Sequence, residues 1–319
     1  MATIRVGKGI VAAAMIVFGM QAAYGQLEPG RPLRIVTSGF GGGTDFVARV
    51  VASGLDAALG RPVIVDNRGS GVMPADVTSK ASPDGHTLLV TTGGLAWVLP
   101  LIQKAPFDPV KDLDPVSIVA SFPTVLAVNA SVPVKSVKEL VALARARPGT
   151  LNYVMTAKGG SAHLAAELFK NTAGVNIVAV PYKNTGTGIV DLIAGRVHLF
   201  FTASGPVMAH VRAGKLKALA VTTVKPSQLL PGLPTVADAL PGYEMEGVYC
   251  LFAPAGTPAA TIRFLNREVV RMLNKAEIKE RFLKAGIEPR GSTAAELNAL
   301  RKADMAKMRK LLRAAGIAG

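Results

Sequence analysis

The chain has one cysteine, Cys250, so no disulfide can form within it. In the apolar context VYCLFAP that thiol reads as a buried small hydrophobe rather than a reactive group. Only 18% of residues are charged while 50% are apolar, which argues against a disordered chain. Histidine is scarce too. His86, His163, His198 and His210 show no metal-ligand spacing, so no metal site is expected. No serine sits in G-x-S-x-G and no Gly-Lys-Ser/Thr follows a glycine turn, which leaves no nucleophile-and-base constellation and no Walker loop. Acidic residues are in deficit, 21 against 36 Lys and Arg, for a formal net charge of +15. The basic residues are spread thinly rather than in blocks, so no nucleic-acid face stands out. A basic field raises the encounter rate with small anions, although host composition or solubility accounts for it equally well.

The first 25 residues read as a cleavable leader. Arg5 and Lys8 form a positive start, IVAAAMIVFGM (10–20) an apolar middle, and Ala23-Tyr24-Gly25 a small-residue cleavage site after Gly25. No run of about 20 apolar residues follows, so the mature chain from Gln26 is expected to work outside the cytoplasm without a membrane anchor.

Along the mature chain, β-rich runs alternate with helical periodicity. Strands are expected at 33–37, 62–66, 87–92, 124–129, 151–155, 177–182, 197–201, 216–223 and 247–254. Helices are expected near 45–59, 135–146, 161–172, 186–194, 206–213, 258–274 and 293–314. Strands separated by helices predict parallel sheets, and runs such as LLVTT and IVAV predict strands covered on both faces. Proline-rich punctuation at 106–115 and 226–241 brackets an inserted second lobe over 124–224, with 26–123 and 225–319 forming the first. A cleft between such lobes is where a small ligand binds. Lys and Arg on one side of 301–313 read as a solvated helix face, and Trp97 reads as core.

The candidate chemistry lies in two glycine turns. SGFGGGTD (38–45) joins the strand LRIVT to a helix capped by Thr44-Asp45, a place where unpaired backbone N–H groups and the helix dipole hold an anion. A dinucleotide fingerprint fails there because its third glycine would be Thr44. The second turn, TAKGGSAH (156–163), enters a helix with Ser161 as its cap. Two such N-termini across a cleft clamp one anion. At about 1.5 to 3 kcal/mol per charge-assisted bond, four to six bonds supply the roughly 8 kcal/mol of micromolar binding after entropic costs.

Taken together, RPLRIVT, GGGTDFVAR, LGRPVIVDNR, SPDGHTLLVTT, FDPVKDLDPVSIVAS, PGTLNY, GGSAHLAAELFK, VPYKNTG, AGRVHLFF, VRAGKLKALAVTT, LPTVADALPGYE and APAGTP resemble the Bug family. These are the extracytoplasmic receptors of tripartite tricarboxylate transporters, and the resemblance runs from about residue 30 to the C-terminus. It implies a type II periplasmic-binding-protein fold, two α/β lobes with a ligand cleft between them. It also implies a monomeric periplasmic receptor without cofactor, binding a small organic acid (di- or tricarboxylate or aromatic carboxylate) and passing it to membrane transporter subunits. Ligand residues carried over are Phe40, Gly41, Gly42, Gly43, Thr44 and Asp45 in the first lobe and Ala157, Lys158, Gly159, Gly160, Ser161 and His163 in the second. Thr92, Tyr182 and Thr202 join them at strand ends. Lys158 and Tyr182 either face the ligand or stay outside it. Three departures from the family pattern stand out: Ser38-Gly39-Phe40 replaces a proline pair, GSGVMPAD (69–76) replaces a glycine-rich run, and Thr202-Ala203 replaces Asp-Asn. The last implies a plain organic acid rather than an amino acid. The competing class is an enzyme using the glycine loops as an oxyanion or phosphate cradle, and a receptor signalling to a sensor protein reads the same in sequence.

Overall fold

The structure, a computed structural model, describes residues 27–28, 30–69, 71–156, 161–314 and 316. The expected leader (1–25) and the turn residues Ala157, Lys158, Gly159 and Gly160 lie outside the described residues. Two mixed sheets organise the chain. The first contains β1 (Leu33–Thr37), β2 (Val63–Asn67), β3 (Thr87–Thr92), β4 (Leu113–Phe122), β10 (Gly247–Pro254) and β11 (Glu288–Pro289), in the order β11-β4-β10-β3-β1-β2. The second contains β5 (Thr124–Asn129), β6 (Asn152–Met155), β7 (Val178–Pro181), β8 (Leu199–Ala203) and β9 (Leu216–Val221), in the order β7-β6-β8-β5-β9.

All-parallel sheets were the expectation, and this is corrected. β10 runs antiparallel to both β3 and β4, and β5 runs antiparallel to β8 and β9. The reason lies in the connections. Between β4 and β5 stands only Pro123, and β10 is reached through the long segment 222–246; neither connection is a helical crossover of the kind that enforces parallel pairing. β4 itself is unanticipated, because Pro109 and Pro115 make 106–115 read as punctuation. The ladder admits Pro115 beside a register shift between Leu251 and Phe252 of β10.

Helices α1 (Gly43–Leu59) and α7 (Ala259–Leu273) cover one face of the first sheet. Val47, Val51 and Leu55 of α1 recur at helical spacing and bury against Ile35, Leu88 and Val269. The other face carries Trp97, Phe252, Ile118 and the C-terminal helix α9 (Ala294–Ala314) through Leu297, Met305, Met308 and Leu312. In the second sheet, neighbouring Phe200 and Phe201 of β8 point to opposite faces and enter different apolar clusters, as the pleat demands. Phe201 packs with Tyr153 and with Phe169 of α4 (Ser161–Ala173). Phe200 packs under α5 (Thr185–Ile193) and α6 (Ser204–Arg212). The remaining helices are α2 (Met73–Ser79), α3 (Val137–Ala146) and α8 (Ala276–Lys284). Cys250 is fully buried, and burial pushes its thiol pKa up, so it stays an inert core residue.

The two passages between the sheets run side by side. The buried Thr222 donates its N–H to the Thr124 carbonyl at 2.9 Å and accepts the Met245 N–H at 3.0 Å, while its hydroxyl reaches the Met245 carbonyl at 2.6 Å. One threonine therefore ties both crossings. Gly247 lies flat against the Phe122 ring, where an added Cβ would fall 2.1 Å from ring carbons.

Candidate functional site

The first glycine turn is held by Asp45. Its carboxylate accepts the Gly41 N–H at 3.0 Å and the Asn67 amide at 2.9 Å, and pairs with Arg49 Nε at 3.0 Å. The expected cap is thereby corrected. Gly42 is the N-cap residue, with no side-chain cap, so Thr44 and Asp45 sit inside the first turn and Asp45 reaches back over its own loop. The three glycines have separate causes. Gly41 adopts φ +78°, which side chains rarely tolerate, whereas Gly42 is extended with its nearest neighbour 3.9 Å from an added Cβ. Gly43 abuts Tyr249, whose hydroxyl would lie 2.0 Å from any Cβ there. Phe40 at the turn's tip is 80% exposed, its ring 5.8 Å from the Arg49 guanidinium.

Desolvation pushes the Asp45 carboxyl pKa up, but hydrogen bonds from Arg49, Asn67 and Gly41 and the Arg49 charge outweigh it, so the folded value lies below the ordinary 3.8. A depressed carboxyl stabilises the fold above its unfolded pKa and loses that contribution as pH falls through the lower folded value. Asp45→Asn is therefore expected to flatten the acid limb of the stability profile below about pH 4. Urea midpoints measured between about pH 3 and pH 6 check this.

Tyr249 links this turn to a cavity. It pairs with Thr92 in the ladder, and its ring lies 4.9 Å from that of Phe122. Thr92 and Phe122 both line a cavity of about 440 Å³ between the sheets. On the first-sheet side stand also Gly94, Leu95, Val98 and Leu99, from the short π-helical and 3₁₀ turns after β3. Thr124, Ser161 and Leu164 face it from the second-sheet side, and Met245 to Val248 of the returning crossing, with Asp304 and Met308 of α9, complete it. Thr92 Oγ1 accepts the Leu95 N–H at 3.3 Å, which leaves its own proton free to be donated.

Of the residues singled out from sequence, the cavity brings together Thr92 and Ser161. None of Phe40 to Asp45 is among the described lining residues, and Gly43 abuts Tyr249, whose ring packs on the lining residue Phe122. His163 belongs to a different grouping: it is buried, its ring stacks on Tyr153 at 6.3 Å, and its Nε2 lies 3.9 Å from Glu167. Glu167 in turn accepts from the Tyr153 hydroxyl at 2.9 Å and pairs with Lys170 at 2.6 Å. Tyr182 donates its hydroxyl to Asp191 at 2.9 Å, and burial followed by that carboxylate raises its pKa. Thr202 is buried on β8 opposite Val125. Trp97 is core, as expected, and its indole N–H donates to Asp304 Oδ2 at 2.8 Å.

Sequence reasoning missed Phe122, Thr124, Glu246, Asp304 and Met308, which come from three separate stretches of the chain. It also assigned the Lys- and Arg-rich side of α9 to solvent. Lys302, Arg309, Lys310 and Arg313 are exposed as expected, but Arg301 is the exception: it is 2% exposed and donates to the Pro109 and Leu113 carbonyls at 2.5 and 2.9 Å. Among the described residues no group of three or more His, Cys, Asp or Glu could hold a metal ion, and no helix is long and apolar enough to cross a membrane.

Comparison with known proteins adds the family. Residues 47–317 match the family described as tripartite tricarboxylate transporter family receptor. Protein BugT of Bordetella pertussis is 37% identical over 267 residues, covering 82% of each chain. Among solved structures, R. palustris Rpa4515 with adipate is 36% identical with a TM-score of 0.74, covering 91% of this chain and 99% of that one. MatC from Rhodopseudomonas palustris, with bound malate, is 26% identical with a TM-score of 0.70, covering 89% of this chain and 99% of that one.

Proposed function

Because the chain belongs to the tripartite tricarboxylate transporter receptor family, we propose that it captures a small organic carboxylate between its two lobes and delivers it to the membrane subunits of such a transporter. The observation that carries this reading is the cavity between the sheets, walled by both lobes and lined by the hydroxyl-bearing residues Thr92, Thr124 and Ser161. Ser161 opens α4, so the cavity also meets the positive end of a helix. The lobes are assigned to 26–123 with 225–319, and to 124–224. Pro123 and the Thr222–Met245 pairing form the hinge on which closure turns. The turn Phe40 to Asp45 is the first-lobe loop in this reading, and Ser161 is the second-lobe contact.

Relatives solved with adipate and malate support a carboxylate ligand here. At the end of β8, Ala203 lies opposite the cavity residue Thr124 and offers no carboxylate to an amino group, which favours a plain organic acid over an amino acid. Binding and release are the whole task, with no bond made or broken, and the compartment is the periplasm in which this family works.

Calorimetric titration of the chain from Gln26, refolded to remove carried-over ligand, tests the proposal against di- and tricarboxylates, aromatic acids and amino acids. The expected result is one-to-one binding with Kd on the order of 1 µM, the ligand being recovered chemically unchanged. Silence across the panel, or consumption of the ligand, would overturn it.

A further inference from the structure

The charge and polarity of the cavity narrow the ligand class, on the premise that this cavity is the receptor's site. We propose that it takes an acid with a single carboxylate and an apolar body, and that Glu246 and Asp304 select against a second carboxylate. Most of the wall is hydrocarbon, with Leu95, Val98, Leu99, Leu164, Val248 and Met308 among its members. Such a surface repays burial of a methylene chain or a ring. The hydroxyls of Thr92, Thr124 and Ser161 are donors for one carboxylate, and the start of α4 adds the helix dipole.

Among the described lining residues a second carboxylate finds no counterpart. Among the described lining residues there is no Lys, Arg or His, and the two ionisable side chains are both acidic. Each already has a partner behind it: Glu246 pairs with Arg290 at 2.8 Å, and Asp304 pairs with Lys307 at 3.3 Å while accepting the Trp97 N–H. Those cations are partly exposed, at 47% and 31%, and so are screened by water. A dianion entering the cavity would give up hydration at its second carboxylate and find acidic rather than basic side chains in the described lining. Selection by an unfavourable group is the usual way in which similar ligands are told apart.

Hexanoate and adipate share a six-carbon chain and differ by the second carboxylate, which makes them the probes. In calorimetric titration of the full mature chain, hexanoate is expected to bind at least about tenfold tighter than adipate, a difference near 1.4 kcal/mol. Glu246→Gln and Asp304→Asn each retain an acceptor for Arg290 or Trp97, so both variants are expected to fold, and each should shrink the hexanoate-to-adipate ratio by about threefold or more. Adipate binding as tightly as hexanoate, silence toward hexanoate, or a ratio unmoved in both variants would overturn the inference. Where adipate or another panel acid still binds, the receptor reading survives; silence toward every carboxylate overturns both.

Discussion

Gly43→Val is expected to weaken ligand binding by about tenfold to a hundredfold, the equivalent of the roughly 1 to 3 kcal/mol that overpacking costs. A Cβ at this position would lie 2.0 Å from the Tyr249 hydroxyl and 3.0 Å from its ring carbon. The tyrosine has little room to yield. It sits on β10 between β3 and β4, is 8% exposed, and packs on Phe122. Burial pushes its phenol pKa up to about 12, so it remains a neutral, fixed neighbour throughout the working range. The glycine turn must then move, together with the Asp45 bonds that hold it. Titration of Gly43→Ala alone and combined with Tyr249→Phe separates this from simple misfolding, because removing the hydroxyl should restore part of the lost affinity. Stability of Gly42→Ala is expected to change by less than about 0.5 kcal/mol, since its backbone and surroundings accept a methyl group.

Arg301→Leu is expected to destabilise the fold by about 3 to 5 kcal/mol, lowering the melting temperature by roughly 10 °C. This arginine is 2% exposed and closes three contacts at once, to the Pro109 and Leu113 carbonyls and to Asn298 Oδ1 at 2.7 Å. Its guanidinium also stands 5.8 Å from the Phe252 ring centroid. Leucine fills some of the space but leaves two backbone carbonyls without their donor, and an unpaired buried acceptor costs about 1 to 3 kcal/mol. Arg301→Lys should recover little, because an ammonium lacks the planar fork that serves carbonyl and amide together. Thermal melts followed by circular dichroism check both variants; a change below about 2 °C in Arg301→Leu would show that the contacts carry no stability.

Arg301 also shows where sequence reading fails. Charge pattern places the Lys- and Arg-rich side of α9 in water, and nothing in the local sequence distinguishes this arginine from its exposed neighbours. Its burial follows from the turn before β4, a segment nearly two hundred residues away whose carbonyls need a donor. β4 was hidden for a related reason, since Pro115 reads as a breaker until the register shift opposite it is seen. Elements with strong local periodicity were legible. LRIVT, TLLVTT, TVLAVN and GVYCLFAP form strands at the expected bounds, because their hydrophobic runs are buried wherever the fold places them. The glycine turn was legible as a feature and misread in detail. A sequence shows three glycines; the structure gives one to dihedral angle, one to a tyrosine on a distant strand, and leaves the third without a steric need. The cavity was the least visible part, since Phe122, Thr124, Glu246, Asp304 and Met308 are assembled by the crossing of the chain between lobes.

Anomalous scattering from crystals of the chain from Gln26 grown with 6-bromohexanoate decides whether an organic acid is held between the lobes. The predicted result is a bromine peak inside the cavity beside Val98, Leu164 and Met308, with the carboxylate within hydrogen-bond distance of Ser161 or Thr92. A bromine peak only on the outer surface, or a carboxylate bound away from both lobes, would contradict it.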